Sequence, residues 1–264
     1  MEVSLLNKTT AHLNRLSLSR IQLHREDAHA IIQPSGHEQL LYALTGSVRI
    51  LDYREGGAAD LGTFGGRRSV WESKPTIVRI PATYGNPLSL ILASETADLL
   101  LVACETHERE SNGELTLAFG LKIDQDAREH QVGEGCYARM VREFSPPEGY
   151  EIHAGETLNP PGGWSSFPSH ANKEDLVNYN KWEEVMFFIT KEYGIIKCDG
   201  IYCDGSKINE VVECKNGKAM VVPLGSHPII ACPSSPLWYF WAYVGTALKK
   251  QYNQWSTDVG TYIK

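Results

Sequence analysis

Short apolar runs, rich in β-branched and aromatic residues, alternate along the whole chain with Gly, Pro, Asn and Asp. In the first half, HEQLLYALTGSVRILDY (37–53) predicts two strands that turn near Thr45 and Gly46, and PTIVRIP and LSLILAS predict two more. The second half shows the same pattern in EEVMFFIT, YGIIKC, INEVVEC and LWYFWAYVG. Helical periodicity is weak almost everywhere, so the pattern predicts an all-β protein built from sandwiches or barrels.

The two halves of the chain correspond loosely. Each contains a run that ends in Pro with a Gly shortly after it, IPATYG near Pro81 and VPLGSHP near Pro223, and an apolar strand follows in both. This correspondence indicates a duplicated β unit. The polar stretch 122–135 lies between the halves, so we expect one domain over residues 1–130 and a second over residues 131–264.

Charge and composition argue against several classes of partner. The 264 residues carry a formal net charge of −7 and scattered Lys and Arg, which argues against nucleic-acid binding. The most apolar region, 87–104, is interrupted by Glu95 and Asp98, so no membrane span is expected. The first residues lack the basic and apolar segments of a signal peptide. We therefore expect a cytoplasmic protein with no nucleic-acid or membrane partner.

Three side chains in the second half form a candidate metal site. Glu184 begins an apolar run, where a carboxylate is costly unless something pairs with it. His227 follows a strand and a Pro-containing turn in GKAMVVPLGSHP, and His170 lies in GGWSSFPSHANKED. Strands that close into a small barrel aim alternate side chains inward, so ligands from different strands can surround one ion. Two imidazoles and a carboxylate suit a divalent ion such as Zn, Mn, Fe or Ni.

Asn172 stands two residues after His170, where a second histidine would complete a His-x-His pair on one side of a strand. Its amide oxygen is a weaker and harder ligand than imidazole, which would move the preference towards Mn-like ions. Structural interpretations stay open beside these. A lone histidine in a turn is commonly a hydrogen-bonding residue, and Asn172 is either a ligand or a bystander.

These motifs resemble the two metal motifs of the cupin barrels, and the sequence as a whole resembles the IolB/KduI isomerase family. The resemblance is carried by GETLNPPGGWSSFPSH (155–170), EEVMFF (183–188), VPLGSHPIIACPSSPLWYFWAYVG (222–245), FGGRRSVWESKPTIVRIP (64–81) and VGEGCYARMVREF (132–144). It implies a bicupin, two tandem double-stranded β-helix or jelly-roll barrels, with one metal ion in the C-terminal barrel and a structural N-terminal barrel. His170, Glu184 and His227 then occupy metal-ligand positions, and Asn172 departs from the family pattern.

The resemblance also implies a reaction, the conversion of an aldose to a ketose by proton transfer through an enediol. The metal would polarise the substrate oxygens, and a general base would move the carbon-bound proton. Glu183, Tyr239 and Glu156 are the candidate bases near the motif. Arg139 and Lys181 are candidate donors to a sugar-acid carboxylate, although Arg139 could instead form a salt bridge. We take Glu183, Tyr239 and Arg139 as the predicted catalytic residues.

The aromatic run LWYFWAYVG has two faces, with Tyr239, Trp241 and Tyr243 on one of them. One face is expected in the barrel core, and the other could line a sugar pocket.

Four interpretations stay open at this point. The chain could isomerise a deoxy-uronic acid, act on another sugar with altered chemistry, or bind a sugar or organic acid without catalysis, Asn172 then marking a degenerated site. It could also be a structural bicupin whose pockets are closed. The expected partner is a small sugar acid, and the broad sheet surfaces favour a homo-oligomer.

Overall fold

The computed structural model describes residues 1–105, 116–118, 128–147, 150–166 and 182–245, the segment 116–118 as backbone only. The chain divides into two compact units. The first comprises Met1–Asn7, Ser17–Arg128 and Phe144–Ile152, and the second comprises Lys8–Leu16, Glu129–Glu143 and His153–Lys264. The main change of unit lies close to the expected boundary after residue 130. Each unit also takes in one short segment from the opposite half of the chain, which no composition shift in the sequence marks.

The first unit is a nine-stranded antiparallel arrangement in which β1, β2, β8, β4, β6 and β9 lie side by side, and β3, β5 and β7 extend it through β4. Its strands are β1 Glu2–Leu6, β2 Leu16–Leu23, β3 His29–Ile32, β4 Glu38–Arg54, β5 Gly57–Arg67, β6 Ile77–Ile80, β7 Leu88–Leu92, β8 Ala97–Cys104 and β9 Thr116–Ala118. Aliphatic side chains such as Leu41, Val78 and Leu99 fill the space that these strands enclose. The lining is apolar because alternate residues of each strand point to one side.

Strand β4 corrects one sequence prediction. Instead of two strands that turn near Gly46, residues Glu38–Arg54 form one continuous strand. Its first part pairs with β6 and β8, and its second part pairs with β5 and β7. Gly46 makes the change of partners possible, because it adopts φ +71° and a Cβ there would lie 1.9 Å from the carbonyl oxygen of Thr96.

The second unit contains two antiparallel sheets. One has the order β10-β11-β12-β20-β14-β17, and the other has the order β13-β19-β15-β16 with β18 paired to β15. The strands are β10 Arg128–Val132, β11 Arg139–Phe144, β12 His153–Asn159, β13 Trp164–Ser165, β14 Glu183–Thr190, β15 Gly194–Ile201, β16 Lys207–Cys214, β17 Ala219–Val222, β18 Leu224–Ser226, β19 Ile229–Ala231 and β20 Leu237–Val244. Both sheets contribute to a single core, which includes Met186, Ile196 and Trp241. The all-β prediction is confirmed.

Helical structure in the described part of the chain is confined to one 3-10 turn, Gly135–Tyr137. Accordingly, none of the described residues belongs to a helix with the length and apolar character needed to cross a bilayer.

Candidate active site

The inner face of β12, β20 and β14 arranges side chains in rows across the sheet. Tyr243 pairs in register with Glu184 on one side and with His153 on the other. Directly opposed residues of antiparallel strands point to the same face, so these three side chains form one row. Tyr243 belongs to the enclosed core, which fixes that face as the inner one. The row therefore brings a carboxylate, a phenol and an imidazole to one side of the barrel.

Glu184 is the most unusual member of this row. Its side chain is buried, with 6% of the residue exposed, and desolvation alone raises its pKa to about 8. Among the described residues no cation or hydrogen-bond donor offsets that burial. A carboxylate in such surroundings is stabilised by a cation or by protonation.

His227 reaches the same interior from the second sheet. It lies between β18 and β19, both of which pair with β15, and Ile196 opposes Ile229 while Asp199 opposes Ser226. The same register places His227 opposite Cys198, a core residue. Only 5% of His227 is exposed, which is consistent with an inward imidazole.

Cys198 links the two predicted ligands. Burial, and then the charge of Glu184, raise the pKa of its thiol to about 11. A metal ligand would have to be the thiolate, and a bound ion itself promotes that deprotonation. The interior thus contains a carboxylate, an imidazole and a buried thiol.

These donors fit a divalent cation. The carboxylate of Glu184 lacks a counter-charge within the described residues, and the imidazole of His227 is a common ligand of first-row metals. No group of three His, Cys, Asp or Glu side chains that could hold an ion occurs among the described residues. The other two predicted ligands, His170 and Asn172, lie outside those residues, as does Lys181.

Glu183 has a different task from the one predicted. It neighbours Glu184 on β14 and therefore points to the opposite face. Its carboxylate accepts hydrogen bonds from the backbone N–H groups of three consecutive residues, Asn14 at 3.2 Å, Arg15 at 3.0 Å and Leu16 at 2.9 Å. This placement argues against Glu183 as the base, because the carboxylate faces away from the row and is engaged by backbone donors.

Glu156, a second candidate base, is also on the outer side. It opposes Phe240 in the register, whereas the inward residues of β20 are odd-numbered. Its carboxylate accepts a 2.7 Å hydrogen bond from Nη1 of Arg142. A buried carboxylate paired with a guanidinium is poorly suited to abstract a proton.

Tyr239 points inward but lies two rows away from Glu184, opposite Phe188 and Thr157. Its hydroxyl donates to Oγ of Ser165 at 2.9 Å, and the amide of Asn159 donates to the same oxygen at 2.8 Å. Desolvation raises the pKa of Tyr239. The structure therefore places Tyr239 in a polar cluster of its own, apart from the row of Glu184.

Arg139, at the start of β11, is half-buried beside Tyr239. Burial lowers its pKa, and Tyr239 acts in the opposite direction. Its guanidinium donates to the carbonyl oxygen of Tyr137 at 3.2 Å, and it forms no ion pair with the described carboxylates. The salt-bridge alternative for Arg139 thus finds no support in the described part of the chain.

His153 and Tyr243 were not selected from the sequence as catalytic residues. The hydroxyl of Tyr243 lies 2.7 Å from Nδ1 of His153, across 90 positions of sequence. Trp182 and Trp241 flank Tyr243, with ring centroids at 4.7 and 5.8 Å. The odd-numbered residues of LWYFWAYVG form the inward face and belong to the core of the second unit.

Two barrel-like β units, one with an apolar interior and one with inward polar and ionisable side chains, define a bicupin. The crystal structure of an IolB-like protein from Salmonella typhimurium LT2 matches with a TM-score of 0.74 at 16% identity, over 96% of this chain and 92% of that chain. The Bacillus subtilis oxalate decarboxylase, a protein with Mn(II) centres, matches with a TM-score of 0.57 at 12% identity, over 99% and 78% of the chains. At such identities the likeness shows the fold alone, and it confirms the predicted bicupin.

The chain belongs to the KduI/IolB family, whose sequence profile matches residues 2–260. A curated relative, the 5-deoxy-glucuronate isomerase of Shouchella clausii, is 24% identical over 234 residues, which cover 86% of this chain and 81% of the relative. The relationship supports an enzyme of the sugar isomerase class.

Proposed function

We propose that this bicupin is a metal-dependent aldose–ketose isomerase whose substrate is 5-deoxy-glucuronate or a related sugar acid. The observation that carries the proposal is Glu184, a carboxylate on the inner face of the second unit with a pKa raised to about 8 by burial alone. A divalent ion beside it would supply the missing counter-charge. The curated relatives are 5-deoxy-glucuronate isomerases, which supports the reaction class.

Glu184 and His227 would hold the ion together with His170 and Asn172. When bound, the ion would supply Lewis-acid polarisation of the substrate oxygens. The aromatic and aliphatic side chains of the core would exclude bulk water, which strengthens electrostatic interactions inside the barrel. With an amide at position 172, Mn is a reasonable ion beside Zn, Fe and Ni.

Arg139 would bind the carboxylate of the sugar acid. It is half-buried, carries no competing ion pair among the described residues, and its position beside Tyr239 is reflected in the pKa of both groups. A guanidinium can form two parallel hydrogen bonds with a carboxylate, which orients the substrate as well as attracting it.

Four further expectations from the sequence form part of this proposal. They are a structural N-terminal domain over residues 1–130, a metal-bearing domain over residues 131–264, a cytoplasmic location and assembly into a homo-oligomer.

Metal analysis joined to an activity assay tests the proposal. Protein purified without chelator is expected to contain about one divalent ion per chain and to convert 5-deoxy-glucuronate to its ketose. His227→Ala should lose the ion and the activity. His37→Ala, which removes a half-buried imidazole from the N-terminal unit, should retain both.

Two other outcomes would identify the alternatives. A metal-loaded protein that acts on other aldoses or uronic acids, but not on 5-deoxy-glucuronate, would indicate an altered substrate. A protein that neither contains nor binds divalent ions would contradict the proposal and point to the non-catalytic cupin, for which the departure at Asn172 is the supporting feature.

A further inference from the structure

Tyr243, His153 and Glu143 form a chain of polar groups that the sequence motifs do not include. We propose that this chain is the proton relay of the isomerisation, in which the Tyr243 oxygen removes the carbon-bound proton and later returns it. The inference rests on the proposed isomerase function and names the residues that move its proton.

The relay is built around one imidazole. Nδ1 of His153 lies 2.7 Å from the hydroxyl of Tyr243, and Nε2 lies 3.8 Å from Oε2 of Glu143, a buried carboxylate. That separation is longer than a hydrogen bond, and Nε2 is buried without a hydrogen-bond partner in the described part of the chain. The relay requires the tautomer that carries its proton on Nε2, in which Nδ1 accepts from the Tyr243 hydroxyl. The order of groups, a hydroxyl, an imidazole and a carboxylate, is the one by which proteins activate a hydroxyl oxygen.

The position of the relay matches the place where chemistry is expected. Tyr243 stands between His153 and Glu184 in one row of the inner face. Beside it, the indole N–H of Trp182 is buried and has no hydrogen-bond acceptor in the described part of the chain. A substrate hydroxyl or carbonyl at Tyr243 would satisfy that donor.

The aromatic frame fixes the orientation of Tyr243. Its ring is nearly parallel to that of Trp241, with an interplanar angle of 15°. Gly155 provides the space that this arrangement needs, because a Cβ at position 155 would lie 2.4 Å from Cζ2 of Trp241. Proton transfer requires a fixed donor and acceptor geometry, and rigid aromatic neighbours supply it.

One turnover returns every group of the relay to its starting protonation state. In the first half the C2–H bond breaks, its proton goes to the Tyr243 oxygen, and the Tyr243 O–H proton moves to Nδ1 of His153. The electron pair forms the C1=C2 bond, and O1 takes a proton from solvent to give the enediol. While the enediol is bound, the proton on the Tyr243 oxygen exchanges with solvent. In the second half O2 releases its proton to solvent as the C2=O bond forms, Tyr243 delivers its proton to C1, and Nδ1 returns the proton it held.

Tyr243→Phe and His153→Gln test the relay, singly and combined, in the metal-loaded full chain with 5-deoxy-glucuronate. Phe preserves the ring that contacts Trp182 and Trp241, and Gln preserves a polar side chain. Tyr42→Phe is the matched control, because it removes a buried phenol hydroxyl from the N-terminal unit. The measurements are kcat, KM, metal content, thermal midpoint and the rate of solvent deuterium incorporation at the substrate carbons.

Each relay variant is expected to lower kcat and deuterium incorporation together by about 10²–10⁴-fold, with KM, metal content and midpoint near the wild-type values. The double variant should be about as slow as Tyr243→Phe alone, because the two residues act as one unit. A single variant within about twofold of wild type would overturn the relay, and so would single losses that multiply in the double variant. If the wild type itself fails on 5-deoxy-glucuronate and other sugar acids, the proposed function fails and the relay with it.

Discussion

The strands β4 and β14 are the corresponding strands of the two units. Comparing their side chains shows which positions stabilise the fold in both units and which differ between the two interiors. Both read Glu, a polar residue, five apolar positions and Thr: EQLLYALT over residues 38–45 and EEVMFFIT over residues 183–190. The first glutamate of each strand accepts hydrogen bonds from backbone N–H groups. Glu38 accepts from the backbone N–H of Glu151 at 2.6 Å and of Ile152 at 3.2 Å, as Glu183 accepts from Asn14, Arg15 and Leu16.

Both glutamates therefore secure a short segment contributed by the opposite half of the chain. Residues 151 and 152 close the N-terminal unit, and residues 14–16 close the C-terminal one. The arrangements differ in one respect. Glu38 also pairs with the buried Arg79 at 3.4 Å, and that guanidinium donates to the carbonyl oxygens of Ile152 and Phe144. The common role explains why Glu183 is structural although it stands beside a predicted ligand.

The second polar position distinguishes the units. Gln39 in β4 opposes Ala103, whereas Glu184 in β14 opposes Tyr243. In the following rows of the inner face, Leu41 opposes Leu101 and Met186 opposes Trp241. The two strands therefore share one arrangement, and an inward carboxylate with aromatic neighbours distinguishes the second unit from the first.

The largest effect is expected at Glu184. Glu184→Gln should lower kcat/KM for 5-deoxy-glucuronate by about 10³-fold or more, because in the proposed function the inward carboxylate attracts the ion. Gln39→Ala, at the corresponding position of β4, is the control and should leave the activity near wild type. Comparable activities of Glu184→Gln and Gln39→Ala would remove the distinction between the two interiors.

Stability should respond at the first glutamate of each strand. Glu183→Gln is expected to reduce the free energy of unfolding by about 1–3 kcal/mol, since an amide oxygen is a weaker acceptor for the backbone donors. Glu38→Gln should lose more, about 3–5 kcal/mol, because it also leaves the buried guanidinium of Arg79 without its counter-charge. Denaturant titration measures both, and equal losses, or none, would contradict the shared role.

A smaller effect is expected for substrate binding. Arg139→Gln should raise KM for a sugar acid by about 10- to 50-fold with a modest change in kcat, because a charge-assisted pair with the carboxylate is lost. Arg68→Gln removes a guanidinium from the N-terminal unit and should leave KM near wild type. The guanidinium is not the carboxylate partner if a neutral analogue of the sugar suffers the same rise in KM.

The fold could be predicted from the sequence to a large extent. Short β-rich runs with Gly and Pro between them predict an all-β chain, and the Pro-Gly turns indicate the duplication. The path of β4 was not predictable in the same way, because Gly46 reads as a turn although it sits at a bulge between two sets of partners. The short segments that each unit takes from the other half of the chain were not predictable either, because the residues that hold them are far away in the sequence.

The site was predictable only in part, for a similar reason. The alternation of side chains along a strand predicts that Glu183 and Glu184 face opposite sides of β14. It does not predict which side is inward, because both faces of β14 are buried. The pair of His153 and Tyr243 depends on the register of β12 against β20, which no local motif encodes. The sequence contains one signal for His153, which is the nearest other histidine to His170, although it precedes the motif.

Two adjacent carboxylates are expected to have separate roles, Glu183 in stabilising the fold and Glu184 in binding the ion. The most direct test is the metal content of Glu183→Gln and Glu184→Gln, purified side by side without chelator, together with their thermal midpoints. We expect Glu184→Gln to lose the ion and, compared with metal-free wild type, to keep or raise its midpoint, because a desolvated carboxylate is removed. Glu183→Gln should keep the ion while its midpoint falls by several degrees. The reverse pattern, or the loss of the ion from both variants alike, would contradict these separate roles.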